Sequence, residues 1–497
     1  MEASERKHLS KWVPKDPRKV TMLLIATGVI NSATLGYDSS MMNGLNILPA
    51  YTEYFHLNTA TTGLNNAGMW MGEIFAVFFM KWLADYYGRK KAVVITCFIC
   101  AVGVIIQSAA QNTAMFVIGR MIVGAGALLS GGAAPVLVSE CLPPARRGAV
   151  LGLFFSSFYI GSLLAAGVNY GTQYIDSTWC WRVSSIIQMV PSILGIMVLP
   201  FVPESPRWLT ANGRLEEAKE ALAIFYSPEE VQVREREIEL AITGEQSLRK
   251  SNAFMELFST KANRHRSFIL ATFGVITELL GNFVISYYLT DMLNQAGITN
   301  TTTQLKINVI LSCWCLIVSI IGSFMLDIIG RRIQTMGSIM CCIVMLYIFG
   351  GLAKKYSEGS SNTSGIYGSI AAIFLFQGAY SFAITPMTSL YPTEIFPYKL
   401  RTAGIALSKF TDVGSGLMAS FAMSYAMSDL GWKFYMINAS WNFIFLAIVY
   451  FTYVETKGLE LEDIASKFGD LEIILAEGEH IMDSETVEES KVVTKTE

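Results

Sequence analysis

Residues 83–91 read LADYYGRKK and residues 325–333 read MLDIIGRRI, so the pattern Asp-x-x-Gly-Arg followed by Lys or Arg occurs twice, 242 residues apart. Each copy stands directly after an apolar block of about twenty residues, the length that an α-helix needs to cross a hydrocarbon core of roughly 30 Å. A charged motif that recurs at the ends of two such blocks indicates that the chain consists of two related halves.

The repeat extends to other charged residues at block ends. Glu140 precedes Arg147 by seven positions, the same spacing recurs 254 residues later, and a glutamate after the sixth block recurs after the twelfth. Such charges can serve only to set the topology. Alternatively, they form inter-helix ion pairs that close one mouth of the protein and separate when it opens. Because three charged patterns recur in both halves, we favour the second interpretation. The predicted gate charges are Asp85, Arg89, Glu140, Arg147, Glu204, Arg207, Asp327, Arg331, Glu394, Arg401 and Glu455.

The composition is typical of a membrane protein. Of the 497 residues, 52% are hydrophobic and 15% are charged, whereas a soluble chain carries about a quarter charged residues. We therefore predict an all-α membrane protein with twelve transmembrane helices in two pseudo-symmetric six-helix bundles. The twelve apolar blocks are 20–48, 64–83, 92–110, 115–138, 150–170, 183–202, 267–292, 305–326, 334–353, 367–388, 403–426 and 432–453.

The distribution of Lys and Arg predicts the orientation. With twelve spans, 30 of the 37 basic residues fall on the side that holds both termini, and five fall on the other side. By the positive-inside rule both termini are cytoplasmic, and we expect a multi-pass protein of the plasma membrane without a cleaved signal peptide. The predicted domains are an N-terminal arm 1–19, bundles 20–202 and 267–453, a cytoplasmic helical linker 203–266 and a cytoplasmic tail 454–497.

The linker and the tail differ in pattern. Apolar residues at helical spacing predict an amphipathic helix over 214–226, and Ser227-Pro-Glu-Glu is typical of a second helix start, with Gly244 as its expected end. The acidic tail from about residue 470 has no apolar period, which predicts disorder at its end.

Two N-glycosylation patterns begin at Asn300 and Asn362, on predicted outer loops. Such a pattern marks an acceptor only where it meets the secretory lumen. The two positions therefore predict a glycoprotein, whereas a third pattern at Asn438 lies inside the twelfth block and should be inert.

The charged motifs, together with PESPRWL at 203–209 and VETKG at 454–458, resemble the signature set of the sugar porter family of the major facilitator superfamily, over about residues 20–468. Residues 36–44 and 161–166 are similar to the fungal lactose and cellobiose permease branch. The resemblance implies a solute site at the bilayer midplane between two bundles, and alternating rocking of the halves.

Asp38 and Arg120 are ionisable residues inside the first and fourth blocks. An ionised side chain at the bilayer centre costs about 2.5–3.5 kcal/mol on insertion scales, so each needs a partner or, for Asp38, a proton. The resemblance places the two together and implies proton coupling, because proton-coupled members have Asp at this position. The alternative is a fixed salt bridge that only locks bundle geometry.

The predicted solute contacts depart from the family pattern. Glu278 stands where relatives have Gln, Phe155 where they have Asn or Gln, and Ile384 where they have Trp, so a larger, less hydroxylated or charged solute becomes plausible. The resemblance implies a site formed by Asn282, Glu278, Phe155, Tyr287, Gln377, Ile384 and Asp412.

Other ionisable residues in the blocks leave alternatives open. Glu278 either pairs with a cation or takes a proton, or it is a buried acid bonded to a neighbouring helix. Glu73 either lines the cavity or faces a bundle interface. Lys409 and Asp412 lie three positions apart, which predicts a pair within one helix.

We predict a secondary active transporter that moves a sugar or related small solute by alternating access, as a proton symporter. The alternative is a transporter, such as an exporter, of a non-sugar metabolite of the fungal secondary-metabolite kind. An enzyme is not expected, since no phosphate loop, Cys/His metal set or nucleophile elbow occurs. The expected partners are the solute, protons and the lipid bilayer, with no nucleic acid, metal or cofactor, and we expect a monomer.

Overall fold

The computed structural model describes residues 8–143, 150, 154, 156–247, 253–356, 363–396, 400–459, 464 and 466–469. Six spanning helices form the N-terminal half, and the sixth is interrupted at one residue, Gln188, which keeps helical backbone angles. They are α1 Pro17–Leu45, α2 Thr59–Tyr87, α3 Arg89–Ser108, α4 Thr113–Cys141, α5 Phe158–Thr172, α6a Trp179–Ile187 and α6b Met189–Val198.

Six further spanning helices form the C-terminal half. They are α7a Lys261–Leu279 with α7b Asn282–Gln295, α8 Thr301–Ile329, α9 Arg331–Tyr356, α10 Thr363–Ile395, α11 Arg401–Leu430 and α12 Trp432–Thr452. By length and hydropathy, nine helices of the described residues are able to cross a membrane. The other three are α2 and α11, which carry ionisable side chains within them, and α5, which is described over 15 residues.

The packing of the first six helices repeats in the last six. α3 packs on α4 as α9 packs on α10, α2 packs on α4 as α8 packs on α10, and α1 packs on α5 as α7a packs on α11. The two halves meet along α2 with α11 and along α5 with α8, which are equivalent pairs in the repeat. The predicted arrangement of two related six-helix bundles is confirmed.

The seventh spanning helix is broken, although the sequence predicts one uninterrupted block over 267–292. α7a ends at Leu279 and α7b begins at Asn282, because Gly281 between them has a φ of 121°. Only glycine adopts this conformation without steric cost. Apolar residues continue on both sides of the break, so hydropathy alone does not reveal it.

Side chains of α12 satisfy the carbonyl groups that the break leaves without helical partners. Asn438 and Trp441 donate to the carbonyl oxygen of Leu279, at 3.3 Å and 2.9 Å, and Asn442 donates to that of Leu280 at 2.8 Å. A bilayer offers no water to free backbone groups, so a break of this kind requires such donors from a neighbouring helix.

The linker contains the predicted helices with different ends. Leu215–Leu222 is shorter than expected at both ends, and Pro228–Ser247 continues past Gly244, its expected end. A single Gly inside a helix costs only about 1 kcal/mol relative to Ala, which is too little to end a helix by itself. The predicted start is present, because the amide of Ser227 donates to the Glu230 carboxylate at 2.9 Å.

Replacing Gly281 with Ala is expected to lower the melting temperature of the purified protein. A Cβ at this position must adopt a positive φ, at about 1–2 kcal/mol, and would lie 2.8 Å from Oδ1 of Asn438. The measurement is a thermal melt followed by size-exclusion chromatography in detergent. Gly351→Ala in α9, where an added Cβ meets no described atom within 4 Å, is the control, and equal melting temperatures for the two variants would contradict the prediction.

Candidate functional site

One membrane face of the protein, here called the charged face, holds the repeated motifs. In the N-terminal half, Arg89 pairs with Asp85 at 3.3 Å and with Glu140 at 3.1 Å. The hydroxyl of Ser205 donates a further hydrogen bond to Glu140. These contacts join α2, α3, α4 and the chain after α6 within one bundle.

The C-terminal half repeats this arrangement. Arg331 pairs with Asp327 at 2.9 Å, and it holds Glu394 in a two-point contact at 2.9 Å and 3.2 Å. Thr456 donates to Glu394 at 2.5 Å. Among the described residues, every ion pair at the charged face therefore joins groups of the same half, rather than bridging the two halves.

Two glutamates that follow the last helix of each half bind equivalent helix ends. Glu204 accepts from the backbone amide of Lys90 at 3.0 Å, and Glu455 accepts from the amides of Arg331 and Arg332 at 2.8 Å and 3.0 Å. The N-terminus of a helix carries free amide groups and partial positive charge, so it stabilises a carboxylate. The glutamates thus fasten α3 and α9 to the ends of their bundles.

The approach of these glutamates depends on the glycine of each motif. Gly88 and Gly330 have φ values of 93° and 103°, and an added Cβ would lie 2.7 Å from a carboxylate oxygen in both cases. Burial raises the pKa of the Glu204 carboxyl above its ordinary value, while the amides of Ser205 and Lys90 act in the lowering direction. The motif glycine is therefore needed for close packing of the carboxylate.

Three predicted gate residues remain to be placed. Arg207 lies in the first turn of the short helix Pro206–Ala211 at the charged face. Arg147 and the side chain of Arg401 lie outside the described residues.

At the opposite face, hydrogen bonds join the two halves directly. Each involves one residue of the first six helices and one of the last six, and each lies near the helix ends away from the charged face. The pairs are Asn43–Asn308 at 3.1 Å, Asn46 to the Tyr287 carbonyl at 3.1 Å, Thr302–Gln173 at 2.9 Å and Ser424 to the Thr59 carbonyl at 2.6 Å. The mouth at the opposite face is closed in this structure.

Asp38 and Arg120 are both buried deep in the N-terminal half, 1% and 2% exposed. They do not form an ion pair within 4.0 Å; instead, Gln188 donates to one oxygen of Asp38 at 2.5 Å. The second oxygen of Asp38 and two nitrogens of Arg120 have no hydrogen-bond partner. The alternative of a fixed salt bridge is therefore contradicted for this structure.

Gln188 is a site residue that neither the motifs nor the apolar pattern of the sequence reveals. It stands between α6a and α6b, where a lone Gln in an apolar block is the only sequence signal. Its side chain is buried and points from the sixth helix to α1.

Most of the predicted solute contacts lie where α7b and α10 meet. Gln377 donates to Asn282 at 2.8 Å, and the hydroxyl of Tyr287 is buried without a partner. Ile384 is fully buried in α10. Phe155 lies outside the described residues.

A polar contact between the halves also lies beside this region, and the sequence analysis does not predict it. The hydroxyl of Tyr159 in α5 forms hydrogen bonds with Ser381 at 2.6 Å and Thr385 at 3.1 Å in α10. These residues are adjacent to Ile384, so α10 presents hydroxyl groups to the N-terminal half on either side of an apolar residue.

The predicted pair within α11 is confirmed. Nζ of Lys409 lies 3.0 Å from Asp412, and Thr277 of α7a donates to the other oxygen of Asp412 at 2.7 Å. Glu278 and Glu73 both lie within electrostatic reach of this pair. The predicted contacts of the C-terminal half thus divide into a neutral amide group and a charged group.

Asn300 stands at the start of α8 on the opposite face, exposed to solvent. Its side chain accepts from the amide of Thr303 at 2.9 Å and so caps the helix. Asn362 lies outside the described residues. Glycosylation of the two positions stays a prediction.

The charged motifs and the two-bundle architecture agree with a known family. The family described as "Sugar (and other) transporter" matches residues 24–468. The chain belongs to this sugar transporter family. Its members are transporters rather than enzymes, as predicted.

Relatives within the sugar transporter family cover nearly the whole chain. "MFS-type transporter criB" of Aspergillus cristatus is 29% identical over 91% of this chain and 95% of its own. "High-affinity glucose transporter" of Kluyveromyces lactis is 28% identical over 89% of this chain and 84% of its own. "Major myo-inositol transporter IolT" of Bacillus subtilis is 28% identical over 90% of this chain and 94% of its own.

Solved structures show the same fold. The proton:xylose symporter XylE bound to 6-bromo-6-deoxy-D-glucose has a TM-score of 0.76 and 19% identity, and covers 91% of this chain and 99% of that chain. The inward open xylose transporter XylE from E. coli has a TM-score of 0.72 and 18% identity, with 90% and 99% covered. At these identities the likeness establishes the major facilitator fold.

Replacing Glu394 with Gln is expected to destabilise the protein by about 1–3 kcal/mol, because it leaves the Arg331 guanidinium without its two-point carboxylate partner. The Arg331 side chain is only 8% exposed, so water cannot replace the lost contact. The measurement is the melting temperature in detergent.

The control is Glu237→Gln, which removes the exposed linker pair Arg234–Glu237, with side chains 40% and 53% exposed. Exposed pairs contribute about 0–1 kcal/mol, so this variant should melt like the unmodified protein. A drop of equal size in both variants would contradict a special role for Glu394.

Proposed function

We propose that this protein is a proton-coupled secondary transporter that moves a sugar or related small solute by alternating access. The observation that carries the proposal is the environment of Asp38, which is 1% exposed, has no described cation within 4.0 Å and has one oxygen without a donor. A carboxylate in such a place is stabilised by binding a proton.

The coupling follows from the surroundings of Asp38. Arg120 lies near enough to favour the ionised carboxylate, while burial favours the protonated one. Opening of the cleft to water changes the balance between these effects, so Asp38 loads a proton on one side and releases it on the other. A membrane potential then contributes about 2.3 kcal/mol per proton for each 100 mV.

Alternating access is supported by the distribution of contacts between the halves. Hydrogen bonds close the opposite face, while the described ion pairs of the charged face hold each bundle together separately. We propose that the bundles rock about the α2–α11 and α5–α8 interfaces, and that the predicted gate charges keep the charged end of each bundle rigid and meet across the mouth when it closes. The charged face is proposed to be cytoplasmic, in the plasma membrane.

The solute class is supported by the family and by the amide pair. Asn282 and Gln377 offer both donors and acceptors at one place, as recognition of adjacent hydroxyl groups requires. Relatives are named for glucose and myo-inositol transport. We therefore propose that Asn282, Gln377 and Tyr287 contact the solute from the C-terminal half.

A second candidate is a transporter of a non-sugar metabolite. It is favoured by the charged group of Glu278, Lys409 and Asp412 beside the amide pair, and by Ile384, which offers no aromatic surface to a sugar ring. A solute that carries an amine or another charge would suit these residues better than a neutral sugar.

Asp38→Asn is expected to retain solute exchange but to lose uphill accumulation, because the amide cannot bind and release a proton. The measurement is uptake of a labelled sugar by yeast that lacks its own hexose and disaccharide carriers, with and without an uncoupler. Accumulation in the variant that equals that of the unmodified protein would contradict the role of Asp38.

Gln377→Leu is expected to raise the apparent KM for the transported sugar roughly five- to tenfold, through loss of about 1 kcal/mol of hydrogen bonding. Thr96→Val removes a buried hydrogen bond within α3, from the Thr96 hydroxyl to the Val93 carbonyl, and serves as the control for general damage. If no sugar enters cells that display the protein at their surface, the second candidate replaces the first.

A further inference from the structure

Glu73 is a buried carboxyl group on the interface between the two halves. An added Cβ at Gly416 of α11 would lie 2.6 Å from the Trp70 ring of α2, and the rings of Phe78 in α2 and Phe410 in α11 are 6.0 Å apart. The two helices are antiparallel, so Glu73 lies between these contacts and at the level of Val413. Val413 is 1% exposed and packs into the core of the N-terminal half.

Glu73 has no partner for its charge. It is 4% exposed, and among the described residues it forms no hydrogen bond and no ion pair within 4.0 Å. Charged and titratable groups on four other helices lie within electrostatic reach of it. They are Lys409 and Asp412 on α11, Asp38 on α1, Arg120 on α4, and Glu278 and Tyr287 on the two segments of the seventh helix.

The cation nearest in the fold is already engaged. Lys409 pairs with Asp412 at 3.0 Å, and Thr277 holds the second oxygen of Asp412. One ammonium group thus lies within electrostatic reach of three carboxyl groups, those of Glu73, Glu278 and Asp412, and contacts only the last. A carboxylate without compensation costs about 2.5–3.5 kcal/mol in this environment, so the group as a whole is stabilised by taking up protons.

Two further buried polar groups belong to this region. They are the Tyr287 hydroxyl, on a side chain 3% exposed, and the indole N–H of Trp70, which lies near that hydroxyl. Tyr287 lies within electrostatic reach of both Arg120 and Glu73. Buried polar groups are therefore present both in the Asp38 region and at the α2–α11 interface.

We propose that Glu73 is a second proton-binding carboxylate, distinct from Asp38, that shares Lys409 with Asp412. Glu73 holds a proton while Lys409 pairs with Asp412, and it releases the proton when Lys409 turns to it. Because α2 and α11 belong to different halves, a Glu73–Lys409 pair joins the halves and protonation separates them. The role in transport rests on the proposed proton coupling, but the proton on Glu73 is measurable without any solute.

The test uses the purified full-length protein and dicyclohexylcarbodiimide, which adds to protonated carboxyl groups in apolar surroundings. Mass spectrometry should find the adduct on Glu73 at acid pH and lose it toward alkaline pH. Glu53, exposed on the short helix Pro49–Tyr54, is the unlabelled control. No adduct on Glu73 at any pH would overturn the proposal.

Variants separate the parts of the proposal. Asp412→Asn frees Lys409 for Glu73 and should abolish the Glu73 adduct at neutral pH, whereas Asp38→Asn should leave it intact. An unchanged adduct in Asp412→Asn would refute the shared lysine, and its loss in Asp38→Asn would refute a separate site. Since these variants can fail to fold, the pH dependence in the unmodified protein stands as the primary measurement.

An infrared difference spectrum gives an independent measurement on the same protein. A protonated carboxyl C=O band that titrates with pH should vanish in Glu73→Gln and persist, displaced, in Glu73→Asp. A band that survives unchanged in Glu73→Gln assigns the proton elsewhere and overturns the proposal. Neither measurement uses a solute, so absence of sugar uptake would refute the proposed function while leaving the proton on Glu73 intact, and absence of the proton would refute only this inference.

Discussion

The constraint on which this protein depends is the cost of an unpaired charge inside a bilayer. Asp38 and Arg120 are 1% and 2% exposed, yet they do not pair, and each retains polar atoms without partners. Low dielectric surroundings make such groups expensive to bury and sensitive to the arrival of water. When a cleft beside such groups opens to water or closes, the relative stability of their charged and neutral forms changes.

The cost of unpaired charge also explains the contacts at the charged face. There the described ion pairs of Arg89 and Arg331 lie within one half each, and Glu204 and Glu455 lie against the free amides of α3 and α9. Each bundle thereby has its own set of ion pairs at this face. The opposite face is held instead by neutral hydrogen bonds between the halves, which break at lower cost than buried ion pairs.

Much of the architecture was predictable because it follows from local pattern. Apolar length located the spans, and the recurrence of LADYYGRKK as MLDIIGRRI located the halves. Sequence spacing also predicted the Lys409–Asp412 pair, since residues three apart share a helix face. The break at Gly281 was not predicted, because the apolar pattern continues through it. The contact from Gln188 to Asp38 was not predicted either, because it joins residues 150 positions apart in the chain.

The sequence by itself determined the twelve spans, the repeat, the family and the presence of ionisable residues within the helices, since each of these depends on composition and spacing along the chain. Only the tertiary structure decided that Asp38 and Arg120 stand apart, that Glu73 lies at the interface with α11 without a described partner, and that the described ion pairs of the charged face stay within one half. The physical reason is that electrostatic stability depends on distances across helices, and helix rotation and tilt set those distances through packing that no single helix specifies.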